Sequence, residues 1–263
     1  MAKYNDLDMK SWKQYEDIYT DSLWIIEKRD NSGAHKGDYH GNFIPQIPNQ
    51  LFRRYTKMQD WILDPFMGSG TSIIEAQRLE RNYIGIELDV DVATAAKDRI
   101  LNGENINLTT GKVCIGDSRT FNIAGILDEV GINKVQFVIL HPPYWDIIKF
   151  TEHKKDLSNT KTIEEFLQGL GEIIDNTCQH LEKDRYCALV MGDKYANKEL
   201  VPLGFRTMNL FLERGFILKA ILVKNFEETR GKANQRAIWR YRALASDFYI
   251  FKHEYIFVFK KVE

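Results

Sequence analysis

The chain has 263 residues, which is long enough to bury a full hydrophobic core and predicts one domain over residues 1–263. Its 36 lysine and arginine residues nearly balance its 37 aspartate and glutamate residues, so net charge alone does not indicate a nucleic-acid partner. The sequence has no apolar run of membrane-spanning length and no signal-peptide core near its charged start, which excludes a membrane protein and predicts a soluble, cytoplasmic one.

The three cysteines are widely spaced and odd in number. Cys114 and Cys187 lie in apolar runs, so we expect buried thiols rather than a disulfide, and no metal site.

In chain order, residues 1–60 form an irregular, aromatic-rich segment punctuated by glycine and proline. Short apolar runs then alternate with amphipathic stretches, which is typical of a mainly parallel sheet covered by helices. The predicted strands are 61–64, 83–87, 112–115, 137–140, 186–191, 217–223 and 254–259. The predicted helices are 71–79, 91–101, 162–181 and 200–213. The expected fold is therefore α/β, with a seven-stranded, mainly parallel sheet and helices on both faces.

A glycine loop leaves the first strand and leads into the first helix; its residues are Asp64, Pro65, Phe66, Met67, Gly68, Ser69, Gly70 and Thr71. Gly68 and Gly70 allow a ligand to approach the backbone closely. Their spacing differs from the G-x-G-x-x-G pattern of dinucleotide sites. No lysine follows Gly70 to hold a phosphate, so a nucleoside triphosphate is also a poor ligand.

Two acidic residues follow the next two strands of the predicted sheet. Ligands of open α/β sheets bind at the carboxyl ends of the strands. There Glu87 could accept hydrogen bonds from a ribose diol, and Asp117 could accept one from an adenine amino group. Asp64 could pair with an ammonium group. The alternative is that Asp64 and Glu87 only cap the helices that follow them.

A second motif follows the buried strand 137–140: His141, Pro142, Pro143 and Tyr144. The consecutive prolines fix two φ angles and bias the residue before them toward an extended backbone. Tyr144 offers a flat face on which a base could stack.

Together the two motifs resemble those of the amino-group DNA methyltransferases, which methylate adenine N6 or cytosine N4. The family's D-P-F-x-G-S-G-T loop is matched from Asp64 to Thr71. Its (D/N/S)-P-P-(Y/F/W) turn is matched from Pro142 to Tyr144, but the first position is His141. The resemblance covers roughly residues 40–260. It extends to 42–48, where Phe43 and Pro45 would line the methionine end of the cofactor, and to a closing strand at 253–260.

This resemblance implies a Rossmann-like, SAM-dependent methyltransferase fold, with residues 61–135 as the cofactor half and 136–263 as the catalytic half. It implies S-adenosylmethionine as the cofactor and a flipped-out DNA base as the substrate. His141 and the Pro142 carbonyl would accept hydrogens of the amino group; only a neutral imidazole can accept, so we expect turnover to fall between pH 8 and pH 5. The alternative is that His141 only packs beside the pocket.

DNA phosphates require basic residues, and the segment 225–252 interleaves them with aromatic ones. The predicted DNA contacts are Arg230, Lys232, Arg236, Arg240 and Arg242 there, with Lys154 and Lys155 in a second candidate segment that could form a lid. The alternative for 225–252 is a solvated surface loop. No separate target-recognition region is evident, so DNA sequence would be read by residues 1–40, by 225–252, or by a partner subunit.

Several alternatives stay open at this point. The leading function is DNA methylation in restriction–modification or related defence, with a specificity or restriction subunit, or a second copy of the chain, as the partner. The runners-up are an RNA base methyltransferase and a catalytically silent DNA-binding subunit. Trp145 after the turn weakly favours a cytosine enzyme, whereas adenine enzymes are more common in the family. The target base is therefore not decided.

Overall fold

The computed structural model describes residues 4–226 and 236–262. The strands in this part of the chain are β1 Leu23–Trp24, β2 Trp61–Asp64, β3 Asn82–Glu87, β4 Gly111–Ile115, β5 Val135–Leu140, β6 Leu181–Met191, β7 Lys194–Ala196, β8 Glu199–Val201, β9 Ile217–Asn225 and β10 His253–Lys260. The helices are α1 Gln46–Tyr55, α2 Thr71–Arg78, α3 Val90–Leu101, α4 Ile123–Glu129, α5 Ile163–Cys178, α6 Leu203–Leu212 and α7 Arg236–Leu244. Across the described ranges, no helix is both long and apolar enough to cross a bilayer.

Eight strands form one sheet in the order β1-β9-β10-β6-β5-β2-β3-β4, and β7 and β8 form a separate antiparallel pair. Strands β2 to β6 pair in parallel within this sheet, whereas β10 runs antiparallel to both β6 and β9. The predicted α/β class and mainly parallel sheet are confirmed. The prediction of seven strands was wrong by one, because β1 adds an eighth by pairing with β9 and its two residues are too few to show a periodic pattern.

The sheet is covered on both faces, as predicted. One face packs against α1, α2 and α3 through residues such as Ile62 and Phe137. The other face packs against α4, α5 and α6 through residues such as Leu63 and Val138. These pairs alternate along β2 and β5, so each central strand is buried on both sides, which explains its uninterrupted apolar sequence. All three cysteines are buried free thiols.

Besides β1 and the β7–β8 pair, four helices differ from the sequence-based expectation. The segment 1–60 is not irregular throughout, because helix α1 buries Ile47, Leu51 and Phe52 on one face. The helix expected over 200–213 begins at Leu203, since residues 199–201 belong to the β7–β8 pair. Helix α4 was not predicted and is only seven residues long. Its N-cap residue is Asn122, whose side chain accepts a hydrogen bond from the Gly125 amide. Helix α7 lies inside the segment expected to be a loop.

The chain before α1 is anchored on α2 by a buried carboxylate. Glu75 is fully buried, and its Oε1 lies 2.6 Å from His35 Nε2. Its carboxylate also accepts from Asn49 Nδ2 at 2.8 Å and from an Arg78 guanidinium nitrogen at 2.8 Å. This anchor positions residues 37–44 over the loop between β2 and α2.

Strands β2 and β5 are neighbours although β3 and β4 separate them in sequence. The chain passes from β2 outward through β3 and β4 and returns on the other side of β2 as β5. The loops that leave β2 and β5 therefore diverge at their shared edge and leave a crevice there, which is where ligands bind in such sheets.

Candidate active site

One cavity of about 930 Å³ opens at this crevice. It is lined by both sequence motifs, since Asp64 to Ser69 and Thr71 form one wall and His141 to Tyr144 another. Other predicted residues that line it are Phe43, Glu87, Asp117 and Lys155. Two predicted cofactor residues do not line it: Pro45 precedes α1 and Gly70 precedes α2, each as the residue that caps the helix.

The glycine loop owes its shape to two left-handed residues. Gly68 has φ 52° and Gly70 has φ 86°, values that side chains with a Cβ rarely adopt. The Gly68 amide donates to Glu87 Oε2 at 2.8 Å, and the Asp89 amide donates to the other oxygen at 2.9 Å. Burial raises the pKa of Glu87 despite these hydrogen bonds, so a ligand that donates to this carboxylate would favour its charged form.

Asp64 is 1% exposed and holds the loop against α2. Its Oδ1 accepts from the Phe66 amide at 2.8 Å, and its Oδ2 accepts from the Ser72 hydroxyl. Burial raises the pKa of Asp64 to about 7. Neither contact is with a backbone amide of α2, whose N-cap residue is Gly70 with no side-chain cap, so Asp64 does not cap this helix. The presence of Asp64 in the cavity wall keeps its pairing with an ammonium group as a hypothesis.

Asp117 lies beside two cations at the far end of the cavity. Its carboxylate accepts from Arg119 Nε at 3.0 Å, and Lys155 Nζ lies 3.7 Å away. Burial alone would raise the pKa of Asp117, but the hydrogen bonds from Arg119 outweigh it and lower the pKa. The carboxylate therefore remains ionised and already has two cationic partners, neither of which was predicted.

The second motif forms a hydrogen-bonded group of side chains. His141 Nε2 lies 3.2 Å from the Tyr144 hydroxyl, and that hydroxyl donates to Glu254 Oε2 at 2.8 Å. The His141 ring also packs against Phe43, with ring centroids 4.8 Å apart. The pKa of His141 is lowered to about 4, mainly by burial; the charge of Glu254 opposes this shift and the charge of Lys224 adds to it. The ring is therefore neutral at physiological pH.

The position of Tyr144 is fixed by Gly192, which packs against its ring, and by the contacts of the next residue, Trp145. A Cβ built on Gly192 would lie 2.7 Å from the Tyr144 ring, so only glycine leaves room for the ring in this place. The next residue, Trp145, has a left-handed backbone with φ 53°. Its indole nitrogen donates to the Thr160 carbonyl at 3.1 Å, and Lys194 Nζ lies 4.3 Å from its ring centroid. Strain of this kind is found where a structure must hold a side chain in one position.

The predicted DNA-binding residues are only partly placed. Arg240 and Arg242 are exposed on α7, and Lys154 is exposed in the loop after the turn. Arg230, Lys232 and the side chain of Arg236 lie outside the described residues. The loop that contains Lys154 and Lys155 is a compact turn, because Asp156 Oδ2 accepts from the Thr151 amide and hydroxyl.

Several residues of the cavity were not predicted, and four of them contact the two motifs directly or through one another: Tyr39, Gly192, Lys224 and Glu254. Tyr39 lies against Gly68, where a Cβ would be 3.2 Å from its ring. Lys224 and Glu254 did leave a signal, since each is a charged residue within a strand that is otherwise largely apolar. Tyr39 and Gly192 left none.

The lowered pKa predicts how the protein responds to acid. We expect His141 to titrate near pH 4 in the folded protein, against about 6.5 in the unfolded chain. The unfolded chain then binds more protons, so this residue should lower the free energy of unfolding as pH falls from about 6.5 to 4, by at most about 1.4 kcal/mol per pH unit.

NMR titration of the imidazole signals measures this directly, with His141→Asn identifying the resonance. A midpoint near 6.5 would contradict the structure. From the sequence we expected turnover to fall between pH 8 and pH 5. Because the pKa of His141 is about 4, the fall is now expected below pH 5.

The chain was compared with known proteins. It matches the family profile described as DNA methylase, of N6/N4 type, over residues 2–98 and 135–263. The type II methyltransferase M.XycI of Xanthomonas campestris pv. cyanopsidis is 37% identical over 87 residues, which are 33% of this chain and 27% of that protein. The tRNA (guanine(10)-N2)-dimethyltransferase of Methanocaldococcus jannaschii is 26% identical over 160 residues, 57% of this chain and 42% of that protein.

Among solved structures, a SAM-dependent methyltransferase from Methanosarcina mazei superimposes with a TM-score of 0.51 at 14% identity and covers 84% of this chain and 100% of that one. This likeness confirms the Rossmann-like fold of SAM-dependent methyltransferases. The family profile matches far more than half of the chain and includes both motifs that line the cavity. The chain belongs to the N6/N4-type DNA methylase family, whose cofactor is S-adenosylmethionine.

Proposed function

We propose that the chain, as a single domain, transfers a methyl group from S-adenosylmethionine to the exocyclic amino group of adenine or cytosine in DNA. The observation that carries this proposal is the shared cavity, because the glycine loop and the His141 turn form two walls of the same cavity. A methyl donor held by the first motif and an amino group held by the second would meet in that space.

The cavity residues fit the cofactor. The Ser69 hydroxyl is buried and has no hydrogen-bond partner among the described residues, so it can bind a polar group of a ligand. Glu87 keeps lone pairs for ribose hydroxyls beyond the two backbone amides that it accepts. The residues that would hold the cofactor are Phe43, Asp64, Pro65, Phe66, Gly68, Ser69, Thr71, Glu87 and Asp117, with Gly70 and Pro45 shaping the loop and α1 behind them.

When bound, the cofactor supplies an electrophilic methyl group on a sulfonium sulfur. His141 and the Pro142 carbonyl accept the two amino hydrogens of the base, which favours the pyramidal nitrogen whose lone pair can attack. This lone pair would be the acceptor for the methyl group that the cofactor supplies, with the sulfur leaving as a neutral thioether and one amino proton passing to water. Pro143 keeps the turn rigid, and Tyr144 stacks on the base.

The base must leave the duplex to reach this cavity, because its amino group is otherwise paired inside the stack. Arg240 and Arg242 on α7 and Lys154 are exposed, as phosphate contacts must be. Arg242 also packs on the Trp239 ring at 5.2 Å, and Trp239 lines the cavity, which connects this helix to the site. The type II name of the Xanthomonas relative suggests a role in restriction–modification for this chain as well.

RNA is the second candidate substrate, and the match to the archaeal tRNA enzyme is the observation that favours it. Its identity is lower than that of the type II enzyme although it extends over more residues. The family profile that covers the chain is that of DNA methylases, so DNA is the primary proposal.

The test is methyl transfer from labelled S-adenosylmethionine to unmethylated genomic DNA and, in parallel, to total RNA, with nucleosides identified by mass spectrometry. N6-methyladenine or N4-methylcytosine in DNA would support the proposal and identify the base. Label found in RNA alone would contradict the DNA proposal and support the second candidate, an RNA methyltransferase. Cofactor binding without methylation of either nucleic acid would favour a catalytically silent subunit.

The glycine loop predicts a loss of cofactor binding in Gly68→Leu. The substitution forces a side chain into a residue with φ 52° and into contact with Tyr39, in the wall of the cavity. We expect calorimetry to show S-adenosylmethionine affinity reduced about tenfold or more, a loss of about 1.4 kcal/mol.

Gly131→Leu is the matched control, because Gly131 also has a positive φ, of 75°, but has open space around it and does not line the cavity. It should lose comparable stability and keep its cofactor affinity. Equal loss of affinity in both variants would mean that backbone strain alone, and not the site, is responsible.

The exposed arginines of α7 predict a salt-dependent effect on DNA binding. Replacing Arg240 and Arg242 together by alanine should weaken binding to duplexes of any sequence. Each lost phosphate contact should make the slope of log affinity against log salt less steep by about 0.9. The control is Lys183→Ala, at an exposed residue near the amino end of β6, away from the cavity edge. An unchanged slope in the double variant would show that α7 does not contact DNA.

A further inference from the structure

A continuous chain of side chains connects the catalytic turn to a buried ion pair. His141 Nε2 lies 3.2 Å from the Tyr144 hydroxyl, which is 2.8 Å from Glu254 Oε2. The other oxygen of Glu254 lies 3.1 Å from Lys224 Nζ. Lys224 and Glu254 are 5% and 8% exposed and face each other in register across β9 and β10. All four side chains line the cavity.

The hydrogens in this chain can be assigned from chemistry alone. The Lys224 ammonium only donates, and the Glu254 carboxylate that forms the ion pair with it only accepts. The single hydrogen of the Tyr144 hydroxyl therefore goes to Glu254. The hydroxyl oxygen is left as an acceptor for His141, so His141 Nε2 must carry the ring hydrogen. In a neutral imidazole this leaves Nδ1 as a bare acceptor.

We propose that Lys224 and Glu254 are positioning residues which, through Tyr144, fix His141 in the Nε2–H tautomer and present its Nδ1 as the acceptor for the amino group of the base. The use of Nδ1 on the base rests on the proposed function, whereas the tautomer does not. His141 Nδ1 has no hydrogen-bond partner among the described residues. It is also not one of the fully buried polar atoms that lack a partner, so it is accessible to a ligand.

Covalent geometry explains why this tautomer matters. Nδ1 is bonded to Cγ, as is the side-chain Oδ1 of aspartate or asparagine, two of the three residues that the family motif allows at the position of His141. An imidazole can therefore supply an acceptor at the same distance along the side chain only when its hydrogen is on Nε2. The opposite tautomer would direct an N–H at the N–H groups of the substrate and repel it.

The tautomer can be read from long-range ¹H–¹⁵N correlation spectra of the imidazole at pH 7.5, where the ring is neutral. We expect wild-type His141 in the Nε2–H form. Tyr144→Phe keeps the ring and the Lys224–Glu254 pair but removes the hydroxyl, so the population of the Nδ1–H form should rise. His180, which precedes β6 at the opposite end of the sheet, is the internal control and should not change.

Glu254→Gln is the second variant, because a glutamine amide can donate to the tyrosine oxygen and no longer forces its orientation. We expect its kcat for methyl transfer to fall about tenfold or more, with an unchanged KM for S-adenosylmethionine. Glu254→Gln breaks the buried ion pair with Lys224 and can unfold the protein. If it does not fold, the tautomer spectrum of Tyr144→Phe tests the proposal alone.

An Nδ1–H tautomer in the wild-type protein, or a tautomer population that is unchanged in Tyr144→Phe, would overturn the proposal. A confirmed Nε2–H tautomer in a protein that methylates no nucleic acid would contradict the proposed function instead. The spectra therefore separate failure of the tautomer assignment from failure of the activity.

Discussion

The parallel pairing of β2 with β5 is the constraint on which the site depends. Ile62 lies opposite Phe137 and Leu63 opposite Val138, so the two strands end at nearly the same level of the sheet. Asp64 is the last residue of β2, and His141 directly follows the last residue of β5. No flexible segment has to bring the two motifs together, because the register of a doubly buried strand pair does so. A slip of one residue would turn the apolar side chains of a strand to the wrong faces, which fixes the register strongly.

The cavity also concentrates buried charge that the fold does not require. Asp64, Lys224 and Glu254 are nearly inaccessible, and Glu87 is partly so. Desolvating such groups costs several kcal/mol each unless hydrogen bonds or opposite charges compensate. Here every carboxylate accepts at least one hydrogen bond, and Lys224 faces Glu254. Burial raises the pKa values of Asp64 and Glu87, and carboxylates with shifted pKa values in a cleft are characteristic of functional sites.

Much of this architecture could be predicted from the sequence. The apolar runs marked each long strand of the sheet, and the glycine loop and prolyl turn marked the two walls of the cavity. Contacts between distant segments could not be predicted. Tyr39 reaches Gly68 only because Glu75 binds His35 inside the fold, and no periodic pattern reports that anchor.

The neutrality of His141 likewise follows from burial among residues of three separate segments, which the sequence-based expectation of acid sensitivity could not take into account. Strand β1 and helix α4 were missed for a simpler reason, since elements of two and seven residues are too short for a hydrophobic period to stand out.

The central claim is that the two motifs serve one reaction in one cavity. The most direct measurement is the binding of bisubstrate compounds in which a cofactor analogue is joined through its methyl position to the amino nitrogen of adenosine or of cytidine. The account predicts that one of the two binds more tightly than the cofactor analogue alone, and that Tyr144→Ala removes this gain without weakening the analogue itself. If neither compound gains affinity over the analogue, the turn at His141 does not bind a base beside the cofactor.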